Sequence, residues 1–442
     1  MNLSEHYIDR YKKIISRTEL LKINGKVSDV IGLVIVSIGP NVALGEVCTI
    51  VDKNGQEVCK SEVVGFKEGK VLSIAIGEVH KISPACEIIA TGKTFSIGVG
   101  KELLGRVIDG LGNPIDGKGE IFCSSIRSIH NSPPNPLERK RISTPLQSGI
   151  RSIDGLLTMG RGQRMGIFAG SGVGKSVTLG MIARNTDADV NVICLIGERG
   201  REVREFIEKD LGEEGLKRSV VIAATSDKSA LVRLKGAFIG TTIAEYFRDL
   251  GMDVVLMMDS VTRFAMAQRE IGLTIGEPPT TKGYTPSVFA LLPKLLERAG
   301  NLDNGSITGL YTVLVDGDDM NEPIADAVRS ILDGHIVLSR KLANRGQYPA
   351  VDPLQSVSRV MPDIVSPDHF ERTIAFNEIL ATYKEAEDLI NIGAYVKGSN
   401  PQIDHALSKI NHLRSFLKQD INETALFAES VSRLEQIIEK PL

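Results

Sequence analysis

One loop of the chain brings glycines, a lysine and a serine together in an order that suits phosphate binding. Residues 169–176 read AGSGVGKS; they follow the apolar run RMGIF and overlap the start of the helical run KSVTLGMIARN. Glycines at 170, 172 and 174 allow positive φ values, so consecutive backbone N–H groups can converge on phosphate oxygens. The spacing, with alanine in place of the commoner first glycine, predicts a nucleotide phosphate loop. The residues expected to contact the nucleotide are Ala169, Gly170, Ser171, Gly172, Val173, Gly174, Lys175, Ser176 and Val177.

Two carboxylates that could complete such a site follow other apolar runs. Lys175 supplies a mobile charge for the β- and γ-phosphate oxygens of ATP, and the Ser176 hydroxyl can bind Mg²⁺. Asp259 ends the run DVVLMMD and is expected to hold the same metal. Glu198 follows the run NVICLIG and is expected to orient the attacking water. Taken alone, Asp259 could cap the next helix and Glu198 could be a solvated loop charge; their places beside the loop favour the catalytic roles.

The elements that must position these residues alternate between strand-like and helical patterns. From about 145 to 365, short Val/Ile-rich runs are separated by helical segments, which is typical of a mostly parallel sheet covered by helices. Residues 105–119 and 130–142 are rich in Gly and Pro and are expected to be a connector. From 368 to 440 the pattern is helical only, with apolar stripes. The sequence therefore predicts an α/β core followed by a helical region.

The N-terminal part has a different pattern. Val/Ile-rich runs recur about every ten residues over 24–96, which indicates a small β-barrel or sandwich, and Asn54-Gly55 marks a hairpin turn. Residues 3–21 have apolar side chains at helical spacing. This amphipathic helix is expected to contact a neighbouring subunit, a regulatory partner or its own barrel.

Composition narrows the class of protein. A net charge of −3 gives no general attraction to nucleic acid or to an anionic membrane. The five cysteines show no metal-type spacing, as expected for reduced thiols in the cytosol. There is no signal-like N-terminus and no apolar run near the ~18 residues of a membrane span. The sequence therefore predicts a cytoplasmic protein without a transmembrane segment or a nucleic-acid partner.

Longer stretches resemble the F1/V-type rotary ATPase superfamily and, within it, the ATPases of flagellar and type III protein export. The resemblance implies a subunit of three parts: a β-barrel (24–96), a RecA-like P-loop ATPase domain (97–367) and a C-terminal helical domain (368–442). The helix predicted from apolar spacing precedes them as an N-terminal segment (1–23). The resemblance also implies a six-membered ring that binds ATP between subunits. The stretches that carry the resemblance are GERGREVREF, DVVLMMDSVTRFAMAQREIG, GEPPTTKGYTPSVFALLPKLLERAG and GQYPAVDPLQSVSR.

The resemblance implies further roles for single residues. Glu198 matches the glutamate that acts on the attacking water, and Arg359, in SVSR, matches the arginine that reaches the neighbour's nucleotide. The planar guanidinium fits the charge that spreads over a transferring phosphoryl group. Arg199 is a second candidate for contacting phosphate or for holding Glu198. Tyr348 matches an adenine-stacking aromatic, and Tyr395 is a candidate for the other side of the base.

Several related functions stay open. A catalytic subunit of a rotary ATP synthase would carry an acidic DELSEED-like tail segment, and a non-catalytic nucleotide-binding subunit would typically carry Gln in place of Glu198. An RNA-translocating hexamer needs aromatic and basic residues in the barrel, yet residues 24–96 contain only Phe66 and Phe95 as aromatics. The favoured prediction is a flagellar export ATPase, with the virulence injectisome ATPase as the alternative. Expected partners are stalk-like, regulatory and export-gate proteins and chaperone–cargo complexes, with peripheral association at the membrane.

Overall fold

The computed structural model describes residues 24–77, 82–315, 317 and 319–439, which fall into two compact units, Met1–Phe95 and Ser96–Leu442. The predicted amphipathic helix over 3–21 lies outside the described residues. Among the residues described, no helix is both long and apolar enough to cross a membrane.

The first unit is a closed barrel of six antiparallel strands, as the ten-residue spacing predicted. The strand order is β1-β2-β5-β4-β3-β6. The predicted turn at Asn54-Gly55 joins β3 to β4, with Gly55 at φ 78° and the carboxylate of Asp52 accepting hydrogen bonds from the backbone N–H groups of Asn54 and Gln56. The strands are β1 (Gly25–Ile31), β2 (Val34–Ile38), β3 (Glu46–Val51), β4 (Glu57–Lys67), β5 (Lys70–Ile76) and β6 (Glu87–Thr94).

The second unit is built on a sheet in the order β19-β18-β12-β17-β15-β13-β14-β8, with β16 paired to β17. Its strands are parallel except at β16 and β19, so the carboxyl ends of the central strands meet at one edge. Strands β7 and β9 form a separate ribbon, as do β10 and β11. The strands are β7 (Ser96–Val99), β8 (Arg106–Asp109), β9 (Ser125–Ser128), β10 (Pro145–Leu146), β11 (Met159–Gly160), β12 (Arg164–Ala169), β13 (Val190–Ile196), β14 (Ser219–Ala224), β15 (Asp253–Asp259), β16 (Gly300–Asn301), β17 (Ser306–Leu314), β18 (Gly334–Leu338) and β19 (Val357–Ser358).

Helices cover this sheet and form the C-terminal region of the same unit. Helix α5 packs on β13, β14 and β15, and α6 on β17, while α13 packs on α1 and α11. The helices are α1 (Arg151–Leu156), α2 (Lys175–Asn185), α3 (Gly200–Glu205), α4 (Gly212–Lys217), α5 (Ala230–Asp249), α6 (Val261–Thr274), α7 (Pro286–Leu296), α8 (Pro323–Ile331), α9 (Arg340–Asn344), α10 (Met361–Ile364), α11 (Pro367–Asn391), α12 (Pro401–Leu417) and α13 (Phe427–Glu439).

The apolar stripe predicted on α12 is confirmed, whereas one strand of the sheet was not predicted. Ala406, Ile410 and Leu413 of α12 are buried. Strand β8 lies inside the segment 105–119 that we expected to be a connector, and it pairs in parallel with β14 at the sheet edge. Four residues between glycine-rich turns are too few to show a strand period, and pairing with β14 supplies the missing stabilisation.

Candidate active site

The predicted phosphate loop joins the interior strand β12 to α2. Strand β12 pairs with β17 on one side and β18 on the other. Gly172 and Gly174 have positive φ values of 78° and 86°, and Gly174 is the residue that precedes α2. The expected left-handed conformation is therefore confirmed at these two glycines, while Gly170 is not among the described residues with positive φ. The buried side chain of Val173 anchors the middle of the loop in the core.

Lys175 lies between the two predicted carboxylates. Its Nζ forms an ion pair with Asp259 Oδ1 and lies 3.4 Å from Glu198 Oε1. The two acidic residues meet there because β13 and β15 are parallel neighbours whose carboxyl ends lie at the same edge. Burial alone would lower the pKa of Lys175, but the negative charges of Asp259 and Glu198 outweigh it and raise that pKa above the ordinary lysine value.

Asp259 is not the cap of the following helix. Ser260 caps α6, since its side chain accepts a hydrogen bond from the backbone N–H of Arg263. The Asp259 carboxylate instead accepts a hydrogen bond of 2.7 Å from Thr312 Oγ1 on β17, besides its ion pair with Lys175. Ser176 is the second residue of α2 and half-buried. A hydroxyl and a carboxylate beside a phosphate loop are the oxygen ligands that Mg²⁺ prefers, so the residues present fit this metal.

Glu198 has an environment that favours its protonated form. Burial, together with the nearby charge of Asp259 and a hydrogen bond to Glu202, raises the pKa of Glu198 to about 7, although the ammonium of Lys175 opposes the shift. The backbone carbonyl of Glu198 accepts a hydrogen bond of 3.0 Å from the N–H of Ser226, which ties the residue to the end of β14. A carboxyl group with a pKa near neutral pH is suited to accept a proton or to orient water.

The sequence did not single out Arg263, which the structure brings to the same place. Its side chain packs on Gly197, where a Cβ would lie only 2.8 Å from Arg263 Cβ. The buried Nε of Arg263 has no hydrogen-bond partner among the described residues. A buried donor is costly without a partner, so this unpaired guanidinium N–H on a side chain that packs on Gly197 is suited to an anionic ligand. The only sequence signal was its position three residues after the helix cap.

The two arginines that were predicted from the sequence lie at the surface. Arg359 directly follows β19, the edge strand; its backbone N–H donates to Asp333 O at 3.0 Å, and its side chain is exposed. Within the described chain, its guanidinium forms no hydrogen bond or ion pair. Arg199 precedes α3, and its 82% exposed side chain lies 3.3 Å from Glu202. Their catalytic roles therefore stay predictions, and Arg359 is placed where a neighbouring molecule can reach it.

Of the two predicted tyrosines, only Tyr348 contacts the phosphate loop. Its ring atoms lie 3.5 Å from the position that a Cβ on Gly174 would take, and the residue is 45% exposed. Tyr395 lies in the loop between α11 and α12, where its hydroxyl donates to Asn400 O or Asp404 Oδ1, each at 3.0 Å. Among the described contacts none joins Tyr395 to Tyr348 or to the phosphate loop, so its role at the base stays a prediction.

Models of known protein families match all three parts of this chain. The beta-barrel domain of the ATP synthase alpha/beta family matches residues 27–92, its nucleotide-binding domain matches 149–358, and the T3SS EscN ATPase C-terminal domain matches 365–436. The barrel, the RecA-like nucleotide-binding core and the helical C-terminal region expected from the sequence are therefore confirmed.

Individual relatives cover nearly the whole chain. The flagellum-specific ATP synthase of Bacillus subtilis is 58% identical over 96% of this chain and 97% of its own, and the type 3 secretion system ATPase of Xanthomonas euvesicatoria is 51% identical over 93% of each. The assembled ATPase EscN of the enteropathogenic E. coli type III secretion system is 44% identical, with a TM-score of 0.89 over 94% of this chain and 100% of EscN. EscN in complex with its central stalk EscO has a TM-score of 0.87 at 43% identity and the same coverage. The chain therefore belongs to the family of flagellum-specific ATP synthases and type 3 secretion system ATPases.

Proposed function

We propose that the chain is a Mg²⁺-dependent ATPase that energises the type III export of flagellar proteins during flagellum assembly. The observation that carries the ATPase part of this proposal is the position of Lys175 between Asp259 and Glu198, at the sheet edge where the phosphate loop also begins. A phosphate loop with one carboxylate for metal and a second for water is the arrangement that nucleoside triphosphate hydrolysis requires. The export role is supported by the flagellum-specific relatives.

The residues of one subunit bind ATP and prepare the water. Backbone N–H groups of the phosphate loop and the ammonium of Lys175 bind the β- and γ-phosphates. Ser176 and Asp259 would hold Mg²⁺, which would supply positive charge for the phosphate oxygens. Glu198, in its carboxylate form, accepts a hydrogen bond from the water that attacks the γ-phosphorus. As the new P–O bond forms, the bond from the γ-phosphorus to the β–γ bridging oxygen breaks and ADP leaves, while the proton of the water passes to Glu198 or to the released phosphate. Arg263, whose side chain packs on Gly197, donates to the phosphate oxygens.

Arg359 acts on the nucleotide of a neighbouring subunit. Arg359 directly follows the edge strand β19, and its exposed guanidinium has no partner in the described part of its own chain. This is expected of a side chain that finds its partner only when subunits assemble. An arginine supplied in trans stabilises the charge that spreads over the γ-phosphoryl group. The assembly we infer is a ring of six copies, since the related EscN was solved in an assembled form.

The proposed partners and location follow from the family. EscN binds a central stalk, EscO, and we infer a stalk-like partner for this chain, together with regulatory and export-gate proteins and chaperone–cargo complexes. The ring would act in the cytoplasm at the inner face of the membrane. In this proposal the N-terminal helix ends at residue 23, the barrel at residue 96 and the ATPase domain at residue 367.

The proposal is tested in two steps. The purified protein should hydrolyse ATP only with Mg²⁺, and Lys175→Ala should abolish turnover while the matched surface variant Lys217→Ala keeps it, because Lys217 is exposed and pairs only with Glu214 among the described residues. Hydrolysis that survives in Lys175→Ala would refute the enzymatic part.

The second step concerns the export system. The gene should restore flagellar assembly and motility to a cell that lacks its own flagellar export ATPase. Restoration of effector secretion by a virulence injectisome, without motility, would favour the second candidate function, which the 51% identity to a type 3 secretion system ATPase supports.

A further inference from the structure

The side chain of Tyr348, the residue proposed to stack on the base, is not held in one orientation by a hydrogen bond of its own. It is 45% exposed, and its hydroxyl makes no hydrogen bond among the described residues. A ring that is half in water can point in several directions, and each misdirected rotamer weakens stacking. The residue is fixed through its backbone: Tyr348 O accepts a hydrogen bond of 3.0 Å from the N–H of Gln419, in the loop that follows α12.

Gln419 is buried and uses its whole side chain to hold that loop. Its Oε1 accepts a hydrogen bond of 2.8 Å from the N–H of Arg151, at the start of α1. Its Nε2 donates to Gly149 O and to Glu423 O, each at 2.8 Å. The residue is only 6% exposed, so water cannot easily replace these partners. Gln419 therefore links the loop that supports Tyr348 to the turn before α1.

The turn before α1 is itself rigid. Gly149 adopts φ 75°, and a Cβ there would lie 2.2 Å from Asn185 Cβ, so no other residue fits without a shift. The fully buried carboxylate of Asp154 accepts hydrogen bonds from the N–H and Oγ of Ser148 and from the N–H of Gly149. The guanidinium of Arg151 also donates to Lys418 O at 2.8 Å. The α/β core thus offers a fixed anchor for Gln419.

We propose that Gln419 is a positioning residue that sets Tyr348 against the base of the bound nucleotide and thereby tunes base affinity without touching the phosphates. This inference rests on the proposed function, because it assumes that ATP binds at the phosphate loop. The hydrogen bonds run from the core turn through Gln419 to Tyr348 O and do not pass through Lys175, Glu198 or Asp259. Loss of the Gln419 side chain should therefore change KM and not kcat.

The test is a double-mutant cycle on the assembled full-length enzyme. Gln419→Met keeps the size of the side chain and removes its three hydrogen bonds. It should raise the KM for ATP roughly three- to fivefold, a part of what a base–aromatic stack contributes, with kcat unchanged within about twofold. In a Tyr348→Ala background the same substitution should have almost no further effect on KM, because the ring it positions is gone.

A matched control separates positioning from general loss of stability. Gln163 is also buried and fully hydrogen-bonded, accepting from Gly160 N–H and donating to Asp333 O and Ser358 Oγ, but among its described contacts none involves Tyr348 or its supporting loop. Gln163→Met should lower the melting temperature as Gln419→Met does, and any effect on KM should be the same with and without the Tyr348 ring. If Gln419→Met does not fold, Gln419→Glu, which keeps the acceptor for Arg151 N–H, serves in its place.

A second measurement does not depend on turnover. The chain contains no tryptophan, so Tyr348→Trp places a single reporter at the stacking position. ATP should change its fluorescence, and Gln419→Met in that background should weaken both the amplitude and the apparent affinity. Equal KM effects of Gln419→Met with and without the Tyr348 ring, or a fluorescence response of the introduced indole that Gln419→Met leaves unchanged, would overturn the inference while leaving ATP hydrolysis intact. Absence of Lys175-dependent ATP hydrolysis in the unmodified enzyme would instead overturn the proposed function.

Discussion

The phosphate half and the base half of the site are built in different ways. In the phosphate half, Asp259 ends β15, Glu198 lies just beyond β13, and Lys175 begins α2 after the phosphate loop; both carboxylates contact the ammonium of Lys175. In the base half, Tyr348 belongs to an irregular segment, and its backbone is held by Gln419 from a different loop. Strand ends and the phosphate loop position the phosphate half, whereas a hydrogen bond from one loop to another positions the base half.

This difference separates residues that act on the rate of hydrolysis from residues that act on the affinity for ATP. Charge on the γ-phosphoryl group and on the attacking water changes on the way to the transition state, so residues of the phosphate half act mainly on the rate. The base lies away from the reacting atoms and is bound equally in the ground and transition states, so residues of the base half act mainly on affinity. The comparison therefore predicts that substitutions in the two halves change different kinetic constants.

The largest effect is expected from Arg359→Ala. Removing an arginine that is supplied in trans should lower kcat by roughly 10³–10⁵-fold, with little change in the affinity for ATP. Arg359→Lys, which keeps the charge and loses the planar fork, should recover only a small part of this loss. Steady-state ATPase assays and equilibrium nucleotide binding on the same preparations measure both quantities.

Mixing variants tests whether the arginine really acts on a neighbour. Rings that combine Arg359→Ala with Glu198→Gln subunits contain some interfaces in which both residues are intact, so the mixture should regain turnover that neither parent has. A mixture as inactive as its parents, although mixed rings form, would place Arg359 outside the phosphate half.

Glu198→Gln is expected to lower kcat by about 10²–10⁴-fold, the usual contribution of a positioned base. ATP should still bind, since the amide keeps the size of the side chain and relieves repulsion with Asp259. The matched substitution is Glu202→Gln, four residues on, which should reduce kcat much less. Single-turnover kinetics measure the chemical step directly. If Glu198→Gln and Glu202→Gln slow that step equally, the role assigned to Glu198 is wrong.

The fold was largely visible in the sequence because its elements are long and regular. The apolar run over residues 253–259 has the same bounds as strand β15. The alternation of such runs with helical segments implies a parallel sheet. Strand β8 was not visible, since four residues in a glycine-rich stretch have no measurable period, and only pairing with β14 makes them a strand. What could not be predicted is therefore short and depends on distant partners.

The residues of the site also divide into those that have a local sequence signal and those whose role depends on distant partners. Lys175 could be predicted from the spacing of the phosphate loop. Glu198 and Asp259 could be predicted because each lies at the end of an apolar run, and parallel strands bring such positions to one edge. Arg263 was missed, since an arginine in the first turn of a helix is common and only its unpaired Nε beside Gly197 distinguishes it. Gln419 has no local signal at all, because its partners lie at Gly149, Arg151 and Tyr348.

The pH dependence should report the phosphate half alone. Because the pKa of Glu198 is raised to about 7, its carboxylate forms only as the pH rises through that value. The kcat/KM for ATP, which reflects the free enzyme, should therefore fall about tenfold from pH 8 to pH 6. Glu202→Gln replaces the carboxylate whose hydrogen bond raises this pKa with an amide that can donate to ionised Glu198, so the acidic limb should move to lower pH. A flat profile between pH 6 and 8 would argue against Glu198 as the water-orienting group.

The smallest effect belongs to the base half. Tyr348→Ala should raise the KM for ATP about five- to tenfold, at the low end of what base–aromatic stacking supplies, because the ring is already half in water. The kcat should stay within about twofold, since the phosphate half is untouched, and Tyr348→Phe, which keeps the ring, should behave like the unmodified enzyme. If Tyr348→Ala lowers kcat as much as it raises KM, then the ring also positions the adjoining Gly174, which it contacts, and the two halves do not act separately. Single-turnover rates at saturating ATP decide between these outcomes, because they report the phosphate half whatever the affinity for the base.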